Sequence, residues 1–175
     1  MLKNNNLYLR APEPADLDFI FKIENDESMW EYSQTISPFS KHAIVNYIKS
    51  CSNDIYHTKQ LRFMITESLN NVTVGMIDIY DFDSFNSKCA IGIVIDEKFR
   101  KKGYAYEAIN LLKDYCLKYL SLNMIYAFIT VNNEASIALF EKCGFLSTSI
   151  LKDWIRFNDN YFDVRVLQFF KENIN

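Results

Sequence analysis

Six consecutive residues, Arg100-Lys101-Lys102-Gly103-Tyr104-Ala105, hold the most readable chemistry in this chain. They stand between a run of β-formers, Ile91, Ile93, Val94 and Ile95, and an amphipathic segment, so the stretch reads strand, basic turn, helix. A helix N-terminus carries roughly half a positive charge and several N–H groups without helical partners, which suits it to hold a phosphate or pyrophosphate. Gly103 lets the main chain come close to such an anion and Ala105 keeps the first turn narrow. Arg100, Lys101 and Lys102 surround it with charge, and the expected ligand is a phosphorylated cofactor. A basic but merely solvated connection is the plainer alternative for these residues taken alone. The Walker pattern GxxxxGK(S/T) and the dinucleotide pattern GxGxxG are both absent.

Other reactive side chains are scattered. Cys51, Cys89, Cys116 and Cys143 stand singly in apolar or helical settings with no CxxC pairing, which predicts buried reduced thiols. His42 and His57 are too isolated to suggest a metal site, and no metal is expected. The 175 residues, 49% hydrophobic, suit one domain over residues 1–175. A net charge of −3 argues against a nucleic-acid partner. No run of about 18 apolar residues is present to span a bilayer. The opening MLKNNNLYLR lacks the apolar segment of a secretion signal, so a cytoplasmic protein without a membrane partner is expected.

The elements that must position the basic turn follow in order. A short strand over residues 7–10 is broken by Pro12 and Pro14, and residues 14–26 read as a helix through the spacing of Leu17, Ile20, Phe21 and Glu24. Residues 25–39 mix acids with aromatics before Ser40 caps a second helix that ends near Cys51. Strands over 61–67 and 72–80 form a hairpin around Asn70-Asn71 and lead to the strand over 89–95. After a helix over 103–120 come a strand over 124–130 and a further helix closed by Gly144. Strands over 145–154 and 163–169 around Asn158-Asp159-Asn160 complete a continuous α/β unit.

Two segments carry a family resemblance. Residues 100–105 are similar to the (Q/R)xxGx(G/A) pyrophosphate loop of the GCN5-related N-acetyltransferase (GNAT) superfamily. Residues 133–145, NEASIALFEKCGF, resemble its N-x-x-A-x-x-(L/I)-(Y/F)-x-x-x-G-F motif, in the family's order and one helix and one strand further on. The likeness covers almost the whole chain and is nearest to the ribosomal-protein-alanine and spermidine/spermine branch, which LRAPEPADLDFIF and VGMIDIYDFD also resemble. It implies a mixed α/β fold with a mostly antiparallel sheet of about seven strands, flanked by about four helices and splayed between the fourth and fifth strands.

The resemblance also implies an activity, the transfer of an acetyl group from acetyl-CoA to a primary amine by direct attack in a ternary complex. A non-catalytic acyl-CoA-binding regulatory module is the alternative. The pantetheine arm would lie in the splay against the main chain of Ile93, Val94 and Ile95, with Gly92 easing a bulge there. A main-chain N–H of that strand would polarise the thioester carbonyl. Asn133 would bond the arm and Phe140 pack on it. Residues 25–39, with Trp30 and Glu31, would form the acceptor wall together with Asp81; the alternative is a solvated loop with aromatic anchors.

Asp81 matches an acid of the spermidine/spermine branch and is the preferred base, with Asp78 second; strand alternation sets the two on opposite faces. Both can equally be punctuation of the acidic turn that follows. The chain departs from the family at Phe140, where many members have the tyrosine that protonates the thiolate. Tyr104 or Tyr106 would then bring in a hydroxyl. Ile36-Ser37 stands where polyamine enzymes carry an acidic pair, so the acceptor stays open between a small amine or polyamine and a peptide N-terminus. A homodimer is a further expectation.

Overall fold

The structure is a computed structural model that describes residues 2–50 and 54–171. One seven-stranded sheet runs in the order β1-β2-β3-β4-β5-β7-β6. Its strands are β1 (Leu7–Arg10), β2 (Leu61–Glu67), β3 (Thr73–Asp83), β4 (Lys88–Ile95), β5 (Met124–Thr130), β6 (Leu146–Phe157) and β7 (Asn160–Phe170). Neighbours pair antiparallel except β4 and β5, which are parallel. The α-helices are α1 (Leu17–Glu24), α2 (Trp30–Ser33), α3 (Lys41–Ser50), α4 (Ile55–Thr58), α5 (Tyr104–Asp114) and α6 (Glu134–Lys142). Only a parallel pair needs a long crossover, and α5 supplies it.

Strand alternation sorts the helices into two layers. Met64 and Met76 point to one face, where Ile20 of α1 and Ile44 of α3 cover them. Ile65, Ile77, Ile79 and Ile91 point to the other face, against Ala108, Ile109 and Leu112 of α5 and Phe140 of α6. The α5 residues recur at the helical period, so one stripe of that helix is fully buried.

The pairing of β4 with β5 stops early. Lys88, Cys89 and Ala90 match Met124, Ile125 and Tyr126, and the ladder ends there. On its other side β4 pairs with β3 as far as Ile95 opposite Gly75. The two central strands therefore diverge beyond Ala90, leaving the Ile91–Ile95 end of β4 unpaired on the side facing β5. The splay expected between the fourth and fifth strands is present.

Several boundaries differ from expectation for local reasons. The helix expected over 14–26 opens with a 3-10 turn at Pro14–Asp16, and the one expected over 103–120 changes to a π-helical turn at Tyr115–Tyr119. Two single-turn helices, α2 and α4, raise the helix number from the expected four to six among the described residues. Strand β3 reaches Asp83 because an irregularity between Tyr80 and Asp83 carries it past Asp81, which has a positive φ of 49°. That irregularity is where the strand bends. Gly92 pairs regularly with Asp78, so the bulge expected there is absent.

Ion pairs with buried carboxylates tie the α1 region to the sheet. Arg10 of β1 holds Asp16 through two bonds, Nη1 to Oδ2 at 2.6 Å and Nη2 to Oδ1 at 2.7 Å, and Nη2 also donates to Thr73. Lys22 of α1 reaches Asp96 at the end of β4 at 2.7 Å. Cys89, Cys116 and Cys143 are buried free thiols, and burial pushes Cys143 up to about 11. Cys51 lies outside the described residues. No helix among the described residues is long and apolar enough to cross a membrane.

Candidate active site

The basic turn leaves the end of β4 through a 3-10 turn at Glu97–Phe99 whose cap is Asp96, with the Lys98 N–H donating to Asp96 Oδ1. Lys101 and Gly103 take positive φ, 62° and 88°, which folds the main chain back on itself ahead of α5. The first main-chain bond of α5 runs from Glu107 N to Gly103 O at 3.1 Å. The N–H groups of residues 101–106 meet no protein acceptor among the described residues. A Cβ on Gly103 would meet nothing within 4 Å, so the glycine faces open space. Together these features form a concave set of unpaired N–H groups at a positive helix end.

The basic side chains divide their work. Arg100 donates from Nε to Ile95 O at 3.1 Å, strapping the turn to β4. Lys102 sets its ammonium 5.3 Å from the centre of the Phe99 ring. Tyr104 turns its hydroxyl to Glu67 Oε1 at 2.5 Å. That bond holds the Tyr104 phenol above its ordinary value and the Glu67 carboxyl below its own.

A cavity of about 830 Å³ passes through the splay. Ile91, Gly92, Ile93 and Val94 line it from β4, and Ala127, Phe128, Ile129 and Thr130 from β5. Towards the α5 and α6 layer its wall is Asn133, Ser136 and Phe140. Asn133 caps α6 by accepting from Ser136 N at 3.2 Å, and Phe140 lies edge-on to Phe145 with ring centres 5.0 Å apart. Towards the α1 and α3 layer the cavity opens among Glu24, Tyr47, Arg62, Asp78 and Tyr80. Its rim there is the stretch from Tyr32 to Phe39, of which Ile36 is 95% exposed.

Arg62 dominates the electrostatics of this second half. It donates from Nε and Nη2 to the two oxygens of Asp78, at 2.9 and 2.7 Å, and from Nη1 to Glu24. Burial works against its charge, but Asp78 and Glu24 outweigh burial and raise it well above its ordinary value. Tyr80 lies beside the open strand, its ring 3.5 Å from where a Cβ on Gly92 would stand. Burial first, then Asp81, pushes its phenol up to about 12, so it stays neutral at physiological pH.

The structure distributes the sequence-predicted residues unevenly. Ile93, Val94, Asn133, Phe140 and Asp78 line the cavity. Ile95 lies just beyond it, and Arg100, Lys101, Lys102, Gly103 and Ala105 form the turn that continues from the open strand. Asp81 is exposed at the strand irregularity and does not line the cavity. Tyr104 faces Glu67 instead. Trp30 donates its Nε1 to Glu24 O at 3.1 Å, and Glu31 accepts from Asn132 at 2.6 Å; their neighbours Met29 and Tyr32 reach the cavity. Sequence reasoning missed Arg62 and Tyr80. The available signal was alternation, which places Arg62 on the inward face of β2 beside Met64 and Tyr80 on that of β3 beside Met76 and Asp78.

The acetyltransferase (GNAT) domain family matches residues 6–146. A spermidine N(1)-acetyltransferase of Vibrio cholerae serotype O1 (strain ATCC 39315 / El Tor Inaba N16961) is 26% identical over 162 residues, 93% of this chain and 91% of that protein. The putative ribosomal N-acetyltransferase YdaF of Bacillus subtilis (strain 168) is 33% identical, with 92% of this chain and 89% of that protein covered. Among solved structures, spermidine N-acetyltransferase from Vibrio cholerae in complex with CoA and spermine superposes with a TM-score of 0.86 at 25% identity, covering 97% of this chain and 98% of that one. Parted parallel strands forgo ladder bonds that a closed sheet would make and leave main-chain groups of β4 unpaired on that side. On this geometry and on these matches, the chain belongs to the GNAT acetyltransferase family and is an acetyl-CoA-dependent N-acetyltransferase.

Proposed function

We propose that the acceptor amine attacks the thioester directly, with acetyl-CoA and amine held together in the cavity that runs through the splay. The observation that carries this reading is the cavity's two-sidedness. One end is lined by Asn133 and Phe140, the other by Glu24, Arg62 and Asp78, and the open edge of β4 lies between them. The diphosphate of the cofactor rests on the N–H groups of residues 101–106, with Lys101 and Lys102 nearby. The pantetheine arm follows the main chain of Ile93, Val94 and Ile95, bonded by Asn133 and packed by Phe140. A main-chain N–H on the open side of β4 then meets the carbonyl oxygen as charge grows on it.

The steps balance without a further reactant. The ammonium of the acceptor loses a proton to water relayed towards Asp78, and the neutral nitrogen forms a bond to the acetyl carbon. The carbon–sulfur bond breaks and sulfur keeps the electron pair; the nitrogen, cationic again after attack, sheds a second proton that goes to sulfur, while the first leaves through water to solvent. Tyr80 supplies the hydroxyl that Phe140 lacks, donating a hydrogen bond to the departing sulfur. Asp81, exposed at the bend of β3, serves as a distant charge on the acceptor side and is second to Asp78 as base.

A free small amine and a peptide N-terminus both fit an opening rimmed by Tyr32 and Phe39. The protein works in the cytoplasm on this reading, in keeping with three buried free thiols among the described residues. It also includes a homodimer. The outer strand β6 exposes Leu146, Ile150 and Trp154, and a second copy is the occupant this reading assigns to that edge.

The test is release of free thiol when the pure protein is mixed with acetyl-CoA and a panel of amines. Turnover above the uncatalysed rate with at least one amine is the expected result. Cofactor binding with no thiol release across small amines, polyamines and N-terminal peptides would point to a binding module instead.

A further inference from the structure

The charged lining of the cavity consists of Glu24, Asp78 and Arg62 among the described residues. Arg62 already engages both carboxylates, gripping Asp78 with two bonds and Glu24 with a third. The ring of Tyr47 lies 5.4 Å from its guanidinium carbon. The three groups sum to a single negative charge. The rim, YSQTISPF over residues 32–39, adds none, and Glu31 beside it is turned to Asn132.

From this arrangement we infer that Arg62 is a built-in cation filling the place of an acceptor's second positive group, so the acceptor is a monocationic amine on a neutral body and not a polyamine. The inference rests on the acetyl-transfer reading and names the substrate class of the same site.

A polyamine would have to bring its second ammonium beside the guanidinium, and like charges repel strongly where water is sparse. Displacing Arg62 would break a bidentate, charge-assisted grip on Asp78. One ammonium, by contrast, meets the one uncompensated negative charge. The neutral remainder of such an acceptor has Tyr32, Phe39, Tyr80 and Phe128 to rest on, aromatic faces that suit an apolar or aromatic body. A free monoamine and a chain N-terminus followed by uncharged side chains share this chemistry.

The experiment compares phenethylamine, a peptide with a free N-terminus and only neutral side chains, and spermidine. Thiol release gives kcat/KM for each with the full-length protein, and calorimetry gives the affinity of each for the CoA-loaded protein. The better monocationic acceptor should exceed spermidine by about tenfold or more in kcat/KM, and which one leads tells the two sources apart. Arg62→Met should move that ratio towards spermidine by about tenfold, because both carboxylates become free for a ligand. Spermidine turned over as well as either monocation by the unaltered protein overturns the inference, whether or not the variant folds. If no amine releases thiol yet the monocation binds more tightly, the transfer reading fails and the assignment of Arg62 stands. Spermidine binding as tightly as the monocations sinks that assignment whatever the turnover, and no binding by any amine overturns both.

Discussion

At residue 103 an added side chain has two separable effects. The φ of 88° strains any residue with a Cβ by about 1–2 kcal/mol, while the empty space around that position means no protein atom obstructs it. In the proposed complex that space is the diphosphate's. Gly103→Val should therefore raise the dissociation constant for acetyl-CoA by about tenfold or more, and Gly103→Ala by less, since both share the backbone strain but differ in bulk. Titration calorimetry checks this, and equal affinity in all three proteins would remove the anion from the turn. Tyr80 makes a complementary prediction for the chemical step. If its neutral hydroxyl supports the leaving sulfur, Tyr80→Phe should lower kcat about ten- to a hundredfold with little change in cofactor affinity. A single-turnover assay separates the two, and an unchanged chemical rate would remove Tyr80 from the mechanism.

At the level of elements, an ion pair joins β1 to the turn that opens α1. Asp16 is only 4% exposed. Burial pushes its carboxyl up, but the bonds from Arg10, the Glu13 N–H and Thr73 together hold it below its ordinary 3.8. Because the folded value is the lower one, this contribution is complete above the unfolded value and is lost as pH falls through the folded value. Asp16→Asn should cost about 2–4 kcal/mol near neutrality, and the difference from the unaltered protein should shrink as pH drops below about 4. Thermal unfolding across that range checks it; a difference independent of pH would mean that packing, and not the ion pair, holds α1.

The elements also show what a chain can disclose about itself. The bounds of β1, β2 and β5 follow directly from runs of apolar and β-branched residues between turn formers, and Gly144 ends α6 with a φ of 89° as its position requires. The bend at Asp81 was not legible, because it arises from a register shift against β4 that no local pattern announces. Asp78 lines the cavity and Asp81, exposed at the bend, does not. Strands β6 and β7 run further than their apolar patterns, since a two-residue turn lets polar ends continue the ladder from Phe157 opposite Asn160. The basic turn was readable because the role proposed for it depends on main chain and glycine, which a local sequence pattern marks. Alternation could have placed Arg62 and Asp78 on one face of the β2–β3 hairpin, but not the third member, Glu24 of α1, which only tertiary packing brings to them.

For the whole molecule, a cofactor seated between β4 and β5 would bridge the two parts of the sheet that diverge beyond Ala90. Acetyl-CoA at about 100 times its dissociation constant should stabilise the fold by about 2.7 kcal/mol, a rise in Tm of about 5–10 °C. Spermidine at the same concentration, without cofactor, should give a smaller rise if Arg62 already occupies the second cationic place. The assembled account makes a geometric claim about one gap in one sheet, and a crystal structure with CoA bound tests it most directly. The account predicts diphosphate oxygens about 3 Å from N–H groups of residues 101–106 and the pantetheine arm lying along Ile93 to Ile95 between β4 and β5. CoA held elsewhere on the surface, with that gap closed by the protein's own side chains, would contradict it.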